Sequence, residues 1–364
     1  MPLTRSASRA TTGLSSLGAT GPAKRKAKGS SASPSKKLRL PSIDNNESSS
    51  NIGEQFVPAT LNFSFNEGKE HLIDVDARFE KLFNNIPCKP FEQLEAFHPF
   101  RSLTTSILGQ QISWMAARSI THRFKRLFDP TLPEQPSESP LSFFPSPEQV
   151  AGVSIETLRS AGLSTRKAEY VKDLASRFVD GRLSARNLME ASDEEVMRLL
   201  LQVRGIGKWT VDMFSIFSMR RPDILPLGDL GVQRGLLKWY LSLHKPDYSL
   251  GTPSKTSELA SPGLDGDMNV QEDNDSKSVF EGAIPPPLTP NTRNSLRRHN
   301  NRERQLQPLP SGLSASVLKS RLDGRKVKGA FLTPLEMEEL TNGWRPYRSL
   351  GVYYMWSLSE GKGM

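Results

Sequence analysis

Between about residues 70 and 243, apolar side chains recur every three or four positions, the spacing that lays one stripe along one face of an α-helix. Phe100, Leu103, Ile107, Leu108, Ile112, Met115, Ile120, Phe124 and Leu127 form the longest stripe, which predicts a long helix or a bent pair. Shorter helices follow, each opened by a side chain able to accept from a first-turn amide. Ser146 precedes Pro147 with Gln149 three residues on, Ser154 opens Ile155–Ser160, Ser164 opens the run through Phe178, and Ser192-Asp193-Glu194-Glu195 reads as a capping box. Only residues 60–65 have any strand character. After a long interruption, helical order returns at Thr333-Pro334-Leu335-Glu336 and runs from Trp344 to Leu358. The pattern predicts an all-α fold.

Two segments break the pattern. Residues 1–60 are rich in Ser, Ala, Gly and Pro, and residues 245–330 carry Pro285-Pro286-Pro287, an acidic stretch around 265–275 and a basic one over 293–304. The expected organisation is a disordered basic tail over 1–60, a helical domain over 61–243, a disordered low-complexity insertion over 244–330 with little core to offer, and a closing helix over 331–364. A closing helix so rich in Trp and Tyr needs a core to pack on, so the insertion is expected to interrupt one domain. Hydrophobic residues at 36%, with 26 Gly and 27 Pro, agree with a folded part much shorter than the chain.

Charge changes less than it first suggests. The net +9 lies in the two irregular segments, because residues 1–60 hold nine basic and three acidic residues and 245–330 hold thirteen and ten, leaving the remainder balanced. Nucleic-acid binding therefore has to be argued from motifs. The clusters Lys24, Arg25, Lys26, Lys28 and Lys36, Lys37, Arg39 are spaced like a bipartite nuclear-localisation signal, which predicts a nuclear protein, although a basic tail can also add phosphate affinity. No apolar run approaches the roughly 20 residues of a membrane helix, so no membrane partner is expected. A single cysteine, Cys88, excludes an internal disulfide and a multi-cysteine zinc or iron–sulfur site within this sequence.

The most informative stretch runs from Leu199 to Arg234. A capped helix leads into Val203-Arg204-Gly205-Ile206-Gly207, then into an amphipathic helix beginning at Lys208. Two glycines around one apolar residue permit a tight hairpin, with Ile206 pinning it from inside, and allow backbone amides to approach a phosphate at the second helix's positive end. Taken alone, the same residues could be a plain helix–helix turn.

Here the chain closely resembles the helix-hairpin-helix DNA glycosylase superfamily, which contains endonuclease III and the bacterial inducible 3-methyladenine glycosylase. The resemblance rests on the hairpin, on the loop from Arg221 to Gly228 followed by Asp229, on Ile107-Leu108-Gly109-Gln110-Gln111-Ile112-Ser113, and on Trp344-Arg345-Pro346-Tyr347-Arg348-Ser349 with Trp356. It covers roughly 70–243 and 331–360 and implies a two-lobed helical bundle acting on double-stranded DNA. By position alone Asp229 caps the helix starting at Leu230, but the resemblance makes it the catalytic carboxylate. Asp212 reads as a helix-surface residue and Asp223 as a loop residue ordering the turn.

Further roles follow from the resemblance. The lysine that strand-cleaving members use for a Schiff base is replaced by Trp209, while Lys208 faces elsewhere by about 100° of helix, so hydrolysis without strand cleavage is expected. Trp209 and Trp356 match pocket aromatics of the alkylation-repair branch, where a cationic 3-methyladenine or 7-methylguanine stacks. Each could instead be a core tryptophan. Met213 and Leu230 stand where that branch can have tyrosines. Gln111, with Gln110, occupies the wedge position that fills the gap left by an extruded base. Arg204, Gly205, Ile206, Gly207 and Lys208 form the phosphate-binding hairpin, with Arg166 and Lys167 as weaker candidates. The carbonyls of Leu201, Val203 and Ile206 are placed to hold a structural sodium or potassium ion; no other cofactor and no iron–sulfur cluster are expected. The protein is expected to act as a monomer and to leave abasic sites for downstream enzymes. Uracil, mispaired thymine or oxidised bases as substrates, or DNA binding without catalysis, remain the alternatives.

Overall fold

The computed structural model describes residues 56–136, 143–245, 247, 248, 250, 285–297, 308–327 and 329–359. Sixteen α-helices are found among them: α1 (Phe65–Val75), α2 (Arg78–Asn85), α3 (Lys89–Glu92), α4 (Pro99–Gly109), α5 (Trp114–Arg126), α6 (Pro147–Gly152), α7 (Ile155–Ser160), α8 (Thr165–Val179), α9 (Ala185–Glu190), α10 (Asp193–Leu200), α11 (Lys208–Phe217), α12 (Leu230–His244), α13 (Pro290–Arg297), α14 (Ala315–Leu322), α15 (Pro334–Thr341) and α16 (Arg348–Ser359). The all-α expectation holds. Among the described residues the only β pairings are the isolated bridges Val57–Phe97 and Val327–Ala330. Residues 60–65 form no strand; Ser64 instead caps α1 by accepting the Glu67 amide at 3.3 Å. No helix of the described residues is long and apolar enough to cross a membrane.

The caps fall where the sequence places them. Ser146 with Gln149 and Thr333 with Glu336 form reciprocal capping boxes, and Ser154 and Ser164 cap α7 and α8. Ser192 caps α10, but its box stays half-formed because the Glu195 carboxylate turns to Arg198 at 2.5 Å. The long apolar stripe is a bent pair: α4 ends at Gly109, Gln111 takes a left-handed φ of 57°, and Ser113 caps α5.

Burial divides the helices into two lobes. One core is built on Phe100, Leu103, Phe124, Val171, Leu174 and Leu200, from the segment between α4 and α11. The other gathers Phe79, Trp239, Tyr240, Trp344, Tyr353 and Tyr354, from helices at both ends of the fold. Helix α11 belongs to both, giving Val211 and Phe214 to the first core and Met213, Ile216 and Phe217 to the second. In the second lobe α12 and α16 pack closely, since a Cβ on Gly235 would lie 2.1 Å from the Met355 carbonyl oxygen.

The insertion needs correcting. Parts of it are helical and contribute to the second core through Leu250, Leu288, Leu296, Leu313 and Leu318. Its polar and proline-rich composition hides a few well-spaced leucines, and the surface they cover is made by residues distant in sequence. The basic tail clusters Lys24–Lys28 and Lys36–Arg39 lie outside the described residues.

Candidate active site and hairpin

The hairpin turns between α10 and α11. Gly205 has φ of 82°, and a Cβ there would sit 2.0 Å from the Tyr170 ring, so both backbone conformation and close packing require glycine. Ile206 is buried in the first core, pinning the turn from inside as expected. The Arg204 amide donates to Asp173 Oδ2 at 2.9 Å, and its guanidinium reaches Glu169 Oε2 at 3.1 Å, so its charge is engaged within the protein. Gly207 is different: it is exposed, and a Cβ on it would meet nothing within 4 Å. It precedes an α11 N-terminus with no side-chain cap and no acidic residue in the first turn. That end of the helix presents amides and a positive dipole outward, with exposed Lys208 beside them.

The loop after α11 is stapled to the second lobe. The Ile224 amide donates to Ser349 Oγ and the Ser349 amide to the Pro222 carbonyl, both at 2.9 Å. Asp223 receives the buried Arg348 guanidinium, Nε to Oδ1 at 2.6 Å and Nη2 to Oδ2 at 3.1 Å, and Arg345 at 3.0 Å. Both arginines also reach Glu338, at 2.6 and 2.9 Å. Asp223 is thus more than a turn-ordering residue, because it fastens the loop to the start of α16. Further along, Gln233 donates to the Leu227 carbonyl at 2.8 Å and accepts from the Phe331 amide at 2.8 Å.

This scaffold delivers Asp229 to the first turn of α12. Its Oδ1 accepts the Val232 amide at 2.8 Å and Trp356 Nε1 at 3.1 Å, and its Oδ2 accepts Trp209 Nε1 at 2.8 Å. Three N–H donors therefore fix the carboxylate, one each from α11, α12 and α16. Asp229 is both a helix cap and the point where all three helices meet.

The expected base-pocket residues separate. Trp209 and Leu230 are half-buried. Trp356 and Met213 lie in the second core, 2% and 0% exposed, and Trp356 packs on Phe217 with ring centroids 5.5 Å apart. In this structure neither offers a face to a base, and Trp356 acts on Asp229 through its indole N–H. The glutamines separate as well. The Gln110 amide is tied to the Gly205 carbonyl at 2.9 Å, whereas Gln111 is exposed in its left-handed conformation. Lys167 does not reach outward: its ammonium caps the carbonyls of Leu108 and Gln110 at 2.8 and 2.5 Å. Arg166 is exposed.

Asp212 requires correction. It is 5% exposed. Burial pushes its carboxyl up to about 7; Lys208, one turn earlier, pulls it down and Asp229 pushes it up. Its spacing from Lys208 imitates a surface ion pair, but the helix carrying it is covered by both lobes. The Arg348–Asp223 staple leaves no local signal in the sequence, because its partners lie 125 residues apart.

A tight helical hairpin thus leads through a stapled loop to an aspartate held by two indoles. The family model described as "HhH-GPD superfamily base excision DNA repair protein" matches residues 104–258, and the chain belongs to this superfamily. DNA-3-methyladenine glycosylase 1 of Schizosaccharomyces pombe is 30% identical over 184 residues, covering 50% of this chain and 74% of that protein. DNA-3-methyladenine glycosylase of Saccharomyces cerevisiae is 33% identical over 191 residues, covering 50% and 62%. A solved S. pombe 3-methyladenine DNA glycosylase in complex with abasic DNA is similar at 30% identity with a TM-score of 0.38, covering 46% of this chain and 78% of that one.

Proposed function

We propose that this chain is a hydrolytic DNA glycosylase of base excision repair that removes alkylated purines of the 3-methyladenine and 7-methylguanine type and leaves an abasic site. The observation that carries this reading is the clasp of Trp209 and Trp356 on Asp229, one helix beyond the hairpin. A base already carrying positive charge leaves without protonation, so the chief demand is to stabilise the cation developing on the deoxyribose. A fixed carboxylate meets that demand and can orient the attacking water. With both indoles and an amide as donors, Asp229 needs no reorganisation as charge develops. Half-buried Trp209 supplies an aromatic face for the extruded cationic base. An indole has no primary amine, so Trp209 cannot form the Schiff base of strand-cleaving enzymes.

The α11 amides and Lys208 are the proposed phosphate contacts, with Gln111 as the wedge. A sodium or potassium ion is proposed at the carbonyls of Leu201, Val203 and Ile206, where it would offset phosphate charge. These uncharged oxygens suit such an ion, and the Val203 carbonyl, which accepts the Ile206 amide at 3.2 Å, keeps a second lone pair. Import into the nucleus by the two basic clusters and hand-over of the abasic product to downstream enzymes complete the proposal.

Incubation with N-methylated duplex DNA, followed by identification of the released bases, tests it. Free 3-methyladenine and 7-methylguanine are expected, with no borohydride-trapped adduct between protein and DNA. Absence of any methylated base among the products overturns the substrate assignment; a trapped adduct overturns the hydrolytic one.

A further inference from the structure

The corner between α4 and α5 carries two side chains that neither the carboxylate nor the hairpin uses. Trp114 and Met115, the first residues of α5, are 44% and 64% exposed. With Leu201 of the hairpin at 46%, they are three of only seven large hydrophobic side chains exposed among the described residues. The proposed wedge Gln111 stands two residues before the Ser113 cap. Covering such side chains is worth roughly 25 cal/mol for each Å² of apolar area, so a bare, ordered Trp and Met side by side mark a surface that something else covers.

The corner is rigidly supported. Lys167 holds its carbonyls from α8, and Gln110 ties it to the Gly205 carbonyl, so the apolar tip keeps a fixed position relative to the hairpin. Its charge has one sign: the first turn of α5 has no acidic residue, and the Arg118 guanidinium lies 5.4 Å from the Trp114 ring centroid. An apolar prong with a cationic flank, braced on a DNA-binding hairpin, complements exposed base faces bordered by phosphates better than it complements a protein surface.

We propose that Trp114 and Met115 pack on the unstacked bases beside the position vacated by the extruded nucleotide, holding the opened duplex while Gln111 fills the gap. This rests on the glycosylase reading above. The test compares the full chain with Trp114→Ala, Met115→Ala, the double variant and Trp114→Phe. Affinity is measured by fluorescence anisotropy for a duplex containing a tetrahydrofuran abasic analogue and for the same duplex intact, neither of which requires catalysis. Base–aromatic stacking corresponds to about 5- to 150-fold in affinity. Trp114→Ala should therefore bind the abasic-analogue duplex at least about fivefold more weakly, with a smaller loss on intact duplex. The double variant should lose more, Trp114→Phe should recover most of the affinity, and the melting temperature should stay unchanged because both side chains are exposed.

Wild-type affinity for the abasic-analogue duplex in all four variants overturns the proposal, as does an equal loss on both duplexes. A wild-type protein that binds the abasic analogue selectively through Trp114 yet releases no base leaves the prong standing and overturns the catalytic reading. Base release with no effect of Trp114→Ala does the reverse. Failure of the wild type to bind either duplex overturns both.

Discussion

The loop at Asp229 and the middle of α11 each bury a carboxylate, and the protein treats the two in opposite ways. Asp229 is met by three N–H donors from three helices. At Asp212 burial dominates and pushes the carboxyl up to about 7. A carboxylate accepts but does not donate, so three N–H donors fix the direction in which Asp229 points. Burial around Asp212 favours the neutral form, so ionising it in the folded chain costs stability. Burial alone therefore does not fix a carboxylate's direction; the three donors aimed at Asp229 do. Asp223 is a third case, a carboxylate used as a fastener through Arg348 and Arg345.

Changes at these three sites test the contrast. The largest effect is expected from Arg348→Met, which leaves Asp223 half-buried without its main partner and frees the loop that delivers Asp229. Breaking a buried pair in this way should cost about 3–5 kcal/mol in urea unfolding. A loss below about 1 kcal/mol would show that the staple is dispensable.

Asp212→Asn should move stability the other way. The folded chain keeps the Asp212 proton up to about pH 7, while the unfolded chain releases it near the ordinary value of 3.8. Folding therefore takes up a proton in that window, and wild-type stability falls as pH rises from about 4 to 7. The asparagine variant escapes this penalty. It should be more stable than wild type by on the order of 3 kcal/mol at pH 8, with the gain fading toward pH 4. A gain independent of pH would contradict the buried acid.

Replacing Trp209 and Trp356 together with Phe keeps aromatic bulk but leaves Asp229 with only the Val232 amide. Single-turnover base release should fall by about 10²-fold, with affinity for abasic-analogue duplex changed far less. Trp356→Phe alone removes one donor inside the core and should cost about tenfold. Unchanged rates in both variants would mean that the indole clasp does not orient the carboxylate.

Much of this arrangement was legible in the chain because its signals are local. Serine and threonine caps, the glycines of the hairpin and the aspartate before α12 each act within a few residues, and helix periodicity reports burial on one face. What escaped depends on contacts between distant segments. Asp212 reads as exposed because Lys208 precedes it by four residues, and nothing nearby indicates that both lobes close over α11. Gln110 and Gln111 are identical in sequence, yet a left-handed backbone at the second sends one amide to Gly205 and leaves the other outside. The leucines of the insertion look isolated until α2, α12 and α16 supply the surface they cover. Trp356 is a core tryptophan whose N–H reaches Asp229.

The central claim is that Asp229 is the carboxylate of base hydrolysis. Single-turnover excision of 7-methylguanine from a defined duplex by Asp229→Asn and by wild type tests it most directly, because asparagine can keep the α12 cap while losing the charge. A fall of at least about 10²-fold, with abasic-analogue binding retained, is the predicted result. Excision by Asp229→Asn at the wild-type rate would contradict the account.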